Sequence, residues 1–251
     1  MTDRQKNQKE EINEISIFPV PFDLEGINQN LAFNTNNQLK LTKEQIIKEA
    51  FKFHSQGNIS EATKYYQHFI DQGFTDQRVF SNYGIILKDV GKLDLAESFT
   101  RKAIELNPHS AEAYSNLGNI LNSKGKLEQS ESSLRKAIEL KPNLFNAYLN
   151  LGTTLKDLNK LEQAEISTQK AIELQPNSAI AHSNLCTILQ DLGRLEQAEK
   201  SALKAIELKP DFAEAHSNLG TILNKQGKLE QSDIAHRKAI DLKPDFANAY
   251  L

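Results

Sequence analysis

An all-α solenoid of tandem helix–turn–helix units is the fold this sequence predicts, and three observations predict it. Pro108, Pro142, Pro176, Pro210 and Pro244 recur at intervals of 34 residues, each closing nearly the same stretch: RKAIELNP, RKAIELKP, QKAIELQP, LKAIELKP and RKAIDLKP. A residue able to take a left-handed backbone keeps the same step at Gly57, Gly91, Gly125, Asn159, Gly193 and Gly227. Apolar and small side chains inside each copy fall at helical spacings, as in Tyr114, Leu117, Gly118 and Leu121. Self-similarity at such a period marks repeat architectures. Two short helices cannot bury their apolar stripes alone, so stacked copies bury them against their neighbours.

The elements follow in chain order. Residues 1–42 are expected to be a flexible arm. Met1 to Glu14 is polar and charged, Asn28 to Asn37 is rich in asparagine, and between them Ile15 to Leu24 reads ISIFPVPFDL. Two prolines forbid a regular helix there, which leaves two readings: an extended apolar patch on a disordered arm, or a segment that docks on the first repeat or on a partner. Six copies then occupy 43–76, 77–110, 111–144, 145–178, 179–212 and 213–246, the first with Phe74 where the others have proline. Residues 247–251 begin a truncated seventh copy. In the copy from Ala111, Gly125 ends the first helix. The second helix carries Leu127, Ser130, Leu134, Ala137 and Ile138 on one face, and Pro142 lies just past its end, where a proline does no harm.

With these residues in place the chain strongly resembles the tetratricopeptide repeat family. The copy from Ala111 offers Tyr114, Leu117, Gly118, Leu121, Ser130, Leu134, Ala137 and Pro142 to the family pattern. The copy from Phe145 offers Tyr148, Leu151, Gly152, Leu155, Ala164, Thr168, Ala171 and Pro176. Later copies depart from it. His182 and His216 replace the first aromatic, Cys186 replaces the glycine, and Ala202 and His236 fill the phenylalanine position. The resemblance implies a right-handed α-solenoid whose concave face, lined by first helices, binds other proteins. Gly118 and Gly152 are expected where two helices approach closely. Because Cys186 occupies the same position, a Gly→Ala change there is expected to be mild.

Composition excludes several function classes. With 30 Lys+Arg against 33 Asp+Glu the net charge is −3, unlike a nucleic-acid footprint. One cysteine cannot form an internal disulfide or a thiolate zinc cluster. No apolar run is long enough to span a membrane, and the first residues lack the apolar core of a signal peptide. A cytoplasmic location is the expectation. No Gly-rich phosphate loop, HExxH or GxSxG is present, so the chain is read as a non-enzyme with no cofactor and no metal site. The recurring Glu128, Glu131, Glu162 and Glu165 suit helix N-termini without any catalysis. His182 and His216 share one position in adjacent copies and are read as packing residues rather than ligands. Cys186 is expected to be buried and inert.

One column is not explained by packing inside a repeat. Asn82, Asn116, Asn150, Asn184 and Asn218 hold the sixth position of five successive copies. At 100° per residue that position points away from the core positions of the first helix. Asparagine is a poor helix former, roughly 0.5–0.7 kcal/mol below alanine per site. Replacing the column with alanine is therefore expected to preserve or raise helix stability. Two readings stand: passive copying during duplication, or a ladder of amides on the inner face. An amide carries both a donor and an acceptor, so it can pair with both groups of a peptide unit. The column is similar to the asparagine ladder in the repeat half of O-linked N-acetylglucosamine transferases. That resemblance implies main-chain capture of an extended polypeptide, and the polar neighbours Asn119, Thr153, Thr187, Thr221, Asp157 and Asp191 are expected to set preferences. The function expected is a protein-binding scaffold. The alternative is the substrate-docking, non-catalytic part of a transferase, and weak self-association through an uncapped last repeat is a further expectation.

Overall fold

The computed structural model describes residues 41–244. The expected arm, apart from Leu41 and Thr42, and the start of a seventh copy lie outside the described residues. Within them the backbone forms helices in pairs. These are α1 (Lys43–Ser55) with α2 (Ile59–Asp71), α3 (Gln77–Asp89) with α4 (Leu93–Leu106), and α5 (Ala111–Ser123) with α6 (Leu127–Leu140). The later pairs are α7 (Phe145–Asp157) with α8 (Leu161–Leu174), α9 (Ala179–Asp191) with α10 (Leu195–Leu208), and α11 (Ala213–Lys225) with α12 (Leu229–Leu242). The architecture is an all-α solenoid.

The two helices of a pair start differently. Several first helices carry a side-chain cap: Thr42 forms a full capping box with Gln45, and Asp76, Ser110 and Ser178 accept from backbone N–H groups of the first turn. From α4 on, second helices start at Lys or Arg with no such cap, and an acidic residue in the first turn complements the helix dipole instead. The tight turn inside each pair needs a left-handed residue, supplied by Gly125 at φ 71° and by Asn159 at φ 57°. The first pair also closes on Gly73 at φ 71°, two residues past Asp71 and just before Phe74.

Each pair packs through a size-matched contact. Gly118 Cα faces Leu134, Gly84 faces Thr100, Gly152 faces Thr168 and Gly220 faces His236. A Cβ at Gly118 would stand 2.7 Å from Leu134 Cδ2, and at Gly152 it would collide with the Thr168 hydroxyl. The expectation that alanine is mild here is therefore corrected. Cys186 fits its position because the side chain sixteen residues on is Ala202, and both are fully buried together with Ala198 and Ile222. The larger member has simply moved to the other helix. The first aromatic position is less buried than expected: Phe80 is enclosed, but Tyr114, Tyr148, His182 and His216 are half-buried.

The core changes character along the chain. Around the first junction it is aromatic, with ring centroids of Tyr66 and Tyr83 at 5.7 Å, Tyr83 and Phe99 at 5.3 Å, and Phe99 and Phe80 at 5.8 Å. Such pairs add about 0.5–1.5 kcal/mol each beyond their burial. Further on, Leu134, Leu151, Leu155, Ala164 and Ile188 take over, each large aliphatic chain contributing roughly 1.5–3 kcal/mol by leaving water.

Candidate peptide-binding face

Consecutive copies meet mainly where a second helix packs on the next first helix. The first helices α3, α5, α7, α9 and α11 also touch one another in succession, whereas the second helices make no comparable contact. The first helices therefore lie on the side where neighbours are drawn together. The asparagine column sits on that side, and all five side chains are half-buried.

Most of these amides are tied to the preceding copy. Asn116 Nδ2 donates to Ser81 Oγ at 2.9 Å, and Asn218 Nδ2 donates to Ser183 Oγ at 3.1 Å. Asn184 Nδ2 donates to Thr153 Oγ1 at 3.1 Å. Asn82 faces the hydroxyl of Tyr66, whose pKa burial raises against the opposing influence of that amide. The expectation that alanine along the column preserves or raises stability is corrected: the donors of Asn116, Asn184 and Asn218 cross-link successive copies. Ser81 and Ser183 are 5 % and 6 % exposed, so losing the amide would strand a buried hydroxyl. That costs about 1–3 kcal/mol and outweighs the roughly 0.5–0.7 kcal/mol that alanine returns in helix propensity. The sequence did carry a signal for this role, the serines at the fifth position of the preceding copies.

Each tie uses one N–H of the amide. The Oδ1 acceptors of Asn116, Asn184 and Asn218 take part in none of these bonds. The neighbouring hydroxyls spend their protons locally: Thr153, Thr187 and Thr221 donate to the carbonyls of Leu149, Asn184 and Ser217 within their own helices. Asp157 accepts from Asn122 Nδ2 at 3.0 Å, Asn119 is half-buried, and Asp191 is exposed. The face thus offers free amide acceptors together with the second N–H of each tied amide.

The remaining candidates lie elsewhere. His182 and His216 each place Nε2 3.0 Å from the carbonyl of Pro176 and Pro210. A carbonyl only accepts, so Nε2 carries the proton and each ring braces the turn between its own copies. Tyr148 and His182 line two clefts of about 560 and 470 Å³ set one copy apart. Burial pushes the Cys186 thiol up to about 12, far from thiolate reactivity. Among the described residues no helix is long and apolar enough to cross a membrane.

An outer set of links joins the second helices to the following turn. Lys126 pairs with Glu97, Lys160 with Glu131, Arg194 with Glu165 and Lys228 with Glu199, at 2.7–3.1 Å. Burial opposes charge on Glu97, but Lys124, Arg101 and Lys126 together win and hold its carboxyl at about 2.

Comparison with known proteins places this geometry. Profiles described as tetratricopeptide or TPR repeats match residues 77–110, 145–178 and 213–246, residues 99–132, and residues 118–159 and 187–227. No curated protein matches. Among solved structures, YrrB, described as a TPR protein with an unusual peptide-binding site, is 27% identical over 72% of this chain and 93% of its own, with a TM-score of 0.53. TTC0263, a thermophilic TPR protein of Thermus thermophilus, is 22% identical over 69% of this chain and 94% of its own, with a TM-score of 0.62. The Pseudomonas aeruginosa protein pilF is 16% identical over 80% of this chain and 92% of its own, with a TM-score of 0.67. The last two show likeness of fold.

Proposed function

We propose, starting from a chain that belongs to the tetratricopeptide repeat family, that its first-helix face binds an extended polypeptide partly through the ligand's main chain. The observation that carries this is the half-buried asparagine column, in which Asn116, Asn184 and Asn218 each tie one N–H to the preceding copy while their Oδ1 acceptors take part in none of these bonds. Peptide N–H groups are donors present at every non-proline residue of any ligand. A column of acceptors spaced by one copy therefore reads a main chain rather than a particular side chain. Neighbouring first helices at usual packing distance lie about 8–10 Å apart. An extended chain rises about 3.3 Å per residue, so one asparagine falls opposite roughly every third ligand residue. Five of them span about 10–12 ligand residues on that rise.

Three further points support the reading. YrrB, which is described as having a peptide-binding site, is similar over most of both chains. The column is also similar to the ladder of O-linked N-acetylglucosamine transferases. Among the positions named for the face only Asp157 and Asp191 are charged, and both are acidic, which suits a polypeptide better than a nucleic acid. A non-catalytic scaffold in the cytosol is the role we assign.

Selection from a random twelve-residue peptide library on the wild-type chain tests it. The best selected peptide should lose about tenfold or more in affinity when Asn116, Asn150 and Asn184 are replaced by alanine together, with helical content checked by circular dichroism. A selected peptide indifferent to that change, on a folded variant, would sink the proposal.

A further inference from the structure

One asparagine of the column differs from the other four. The other four follow a simple rule. Where the fifth position of the preceding copy is serine, the amide donates to it, as Asn116 does to Ser81 and Asn218 to Ser183. Where that position is Ile47 or Leu149, the amide turns to another hydroxyl of the preceding copy, Tyr66 or Thr153. Asn150 breaks the rule. Ser115 stands 35 residues before it, the spacing of both serine-linked pairs, yet no hydrogen bond joins them. Ser115 is 2 % exposed, and its Oγ has no hydrogen-bond partner.

The α5–α7 junction is held by a different polar chain. Position ten is isoleucine in the other copies from Gln77 on, but here it is Thr154. Ser130 Oγ donates to the Gly118 carbonyl at 2.7 Å and lies 2.9 Å from Thr154 Oγ1. A hydroxyl has one proton, and that of Ser130 is spent on the carbonyl, so Thr154 must donate to Ser130. Thr154 is then left as an acceptor, and Asn122 Nδ2 donates to it at 3.3 Å and to Asp157 Oδ2 at 3.0 Å. This relay does the joining that the sixth-position amide does elsewhere. Asn150 is released from that duty.

The consequence is a half-buried amide with both donor hydrogens and its acceptor unspent, on the helix that packs against a buried hydroxyl lacking a partner. Unsatisfied buried polar groups raise the free energy of an empty site, and a ligand that satisfies them recovers that cost. The tied amides gain less, because part of their capacity is already used. Building on the groove reading above, we propose that Asn150 forms the anchoring subsite of the face. It takes one peptide unit of the bound chain, the carbonyl accepting from the Asn150 amide N–H and the peptide N–H donating to Asn150 Oδ1. Asn82, Asn116, Asn184 and Asn218 hold the copies in register and add weaker contacts on either side.

The library-selected twelve-residue peptide serves as probe. Asn150→Ala weakens its binding about tenfold or more and leaves the thermal midpoint near that of the wild type. Asn116→Ala and Asn218→Ala do the reverse, lowering the midpoint by several degrees and the affinity by less than about threefold. Equal losses along the column, or an Asn150→Ala chain that binds as the wild type does, overturn the anchor and leave the groove standing. A probe indifferent to every asparagine, or failure to select any probe, removes the groove and the anchor with it. A ligand-free readout stands beside these. Side-chain amide protons of Asn150 should exchange with solvent faster than those of Asn116, Asn184 and Asn218, and protected Asn150 protons would contradict the release on which the anchor depends.

Discussion

The inner and outer seams of this solenoid join the same copies with different chemistry. On the outer seam, four basic side chains at the turns reach back to glutamates on the preceding second helices. Each such pair neutralises itself, and it leaves nothing over for a ligand. On the inner seam, amides donate one N–H backwards and keep an acceptor in hand. A neutral link with surplus capacity can hold the fold and touch a partner at once. The difference teaches that a repeated polar residue need not be assigned either to structure or to binding, because an asparagine has enough groups for both.

Cutting the inner seam should have the largest effect. Asn116→Ala with Asn218→Ala strands Ser81 and Ser183, at about 1–3 kcal/mol each, against a gain of roughly 0.5–0.7 kcal/mol each in helix propensity. A net loss of roughly 0.6–5 kcal/mol by denaturant titration is expected. A gain in stability would mean the ties do not form.

The contact inside each pair sets the next scale, a reference for both seams. Gly152→Cys should cost about 1–3 kcal/mol by collision with Thr168. Adding Thr168→Ala recreates the pairing of Cys186 with Ala202 and removes a buried hydroxyl that has no partner. The double variant should recover most of the loss, and additive losses would show that size matching is not what fits these positions together.

The outer seam should matter less. Glu131→Gln removes a partly exposed network with Lys160 and Arg135, expected to be worth under about 1 kcal/mol. Moderate salt should shrink that difference further while leaving the Asn116 effect unchanged. Acid separates the seams in the same way. Glu97 is held at about 2, below its ordinary value, so its contribution is full above the ordinary carboxylate range and fades as the pH falls toward 2. Stability in Glu97→Gln should therefore converge on that of the wild type in acid, as followed by thermal melts across that range. A gap that persists at pH 2 would remove the charge explanation.

Most of the fold was legible because period and punctuation repeat together. Five prolines at one spacing, with Gly125 and its counterparts at the turns, left little freedom in placing the helices. What stayed hidden were relations between positions. Cys186 suggested a tolerant slot only because it was read without Ala202, its partner on the facing helix. The asparagines suggested a column that alanine could replace without loss of stability, because a helical wheel shows where a side chain leaves its own helix and not what the preceding copy offers it. Ser81 and Ser183 were visible in the sequence, but their bonds cross between copies. The different status of Asn150 was out of reach for the same reason, since it depends on Thr154 closing a relay with Ser130 and Asn122.

The central claim is capture of a main chain, and changing the ligand tests it without disturbing the seams. Taking the selected peptide and replacing its amide links one at a time with esters removes a single N–H each time and leaves every side chain in place. The account predicts affinity losses that recur about every third residue along the peptide, matching one asparagine per copy on the expected helix spacing and strand rise. The deepest loss should fall opposite Asn150. A peptide whose ester series binds uniformly well, while side-chain changes abolish binding, would contradict main-chain capture.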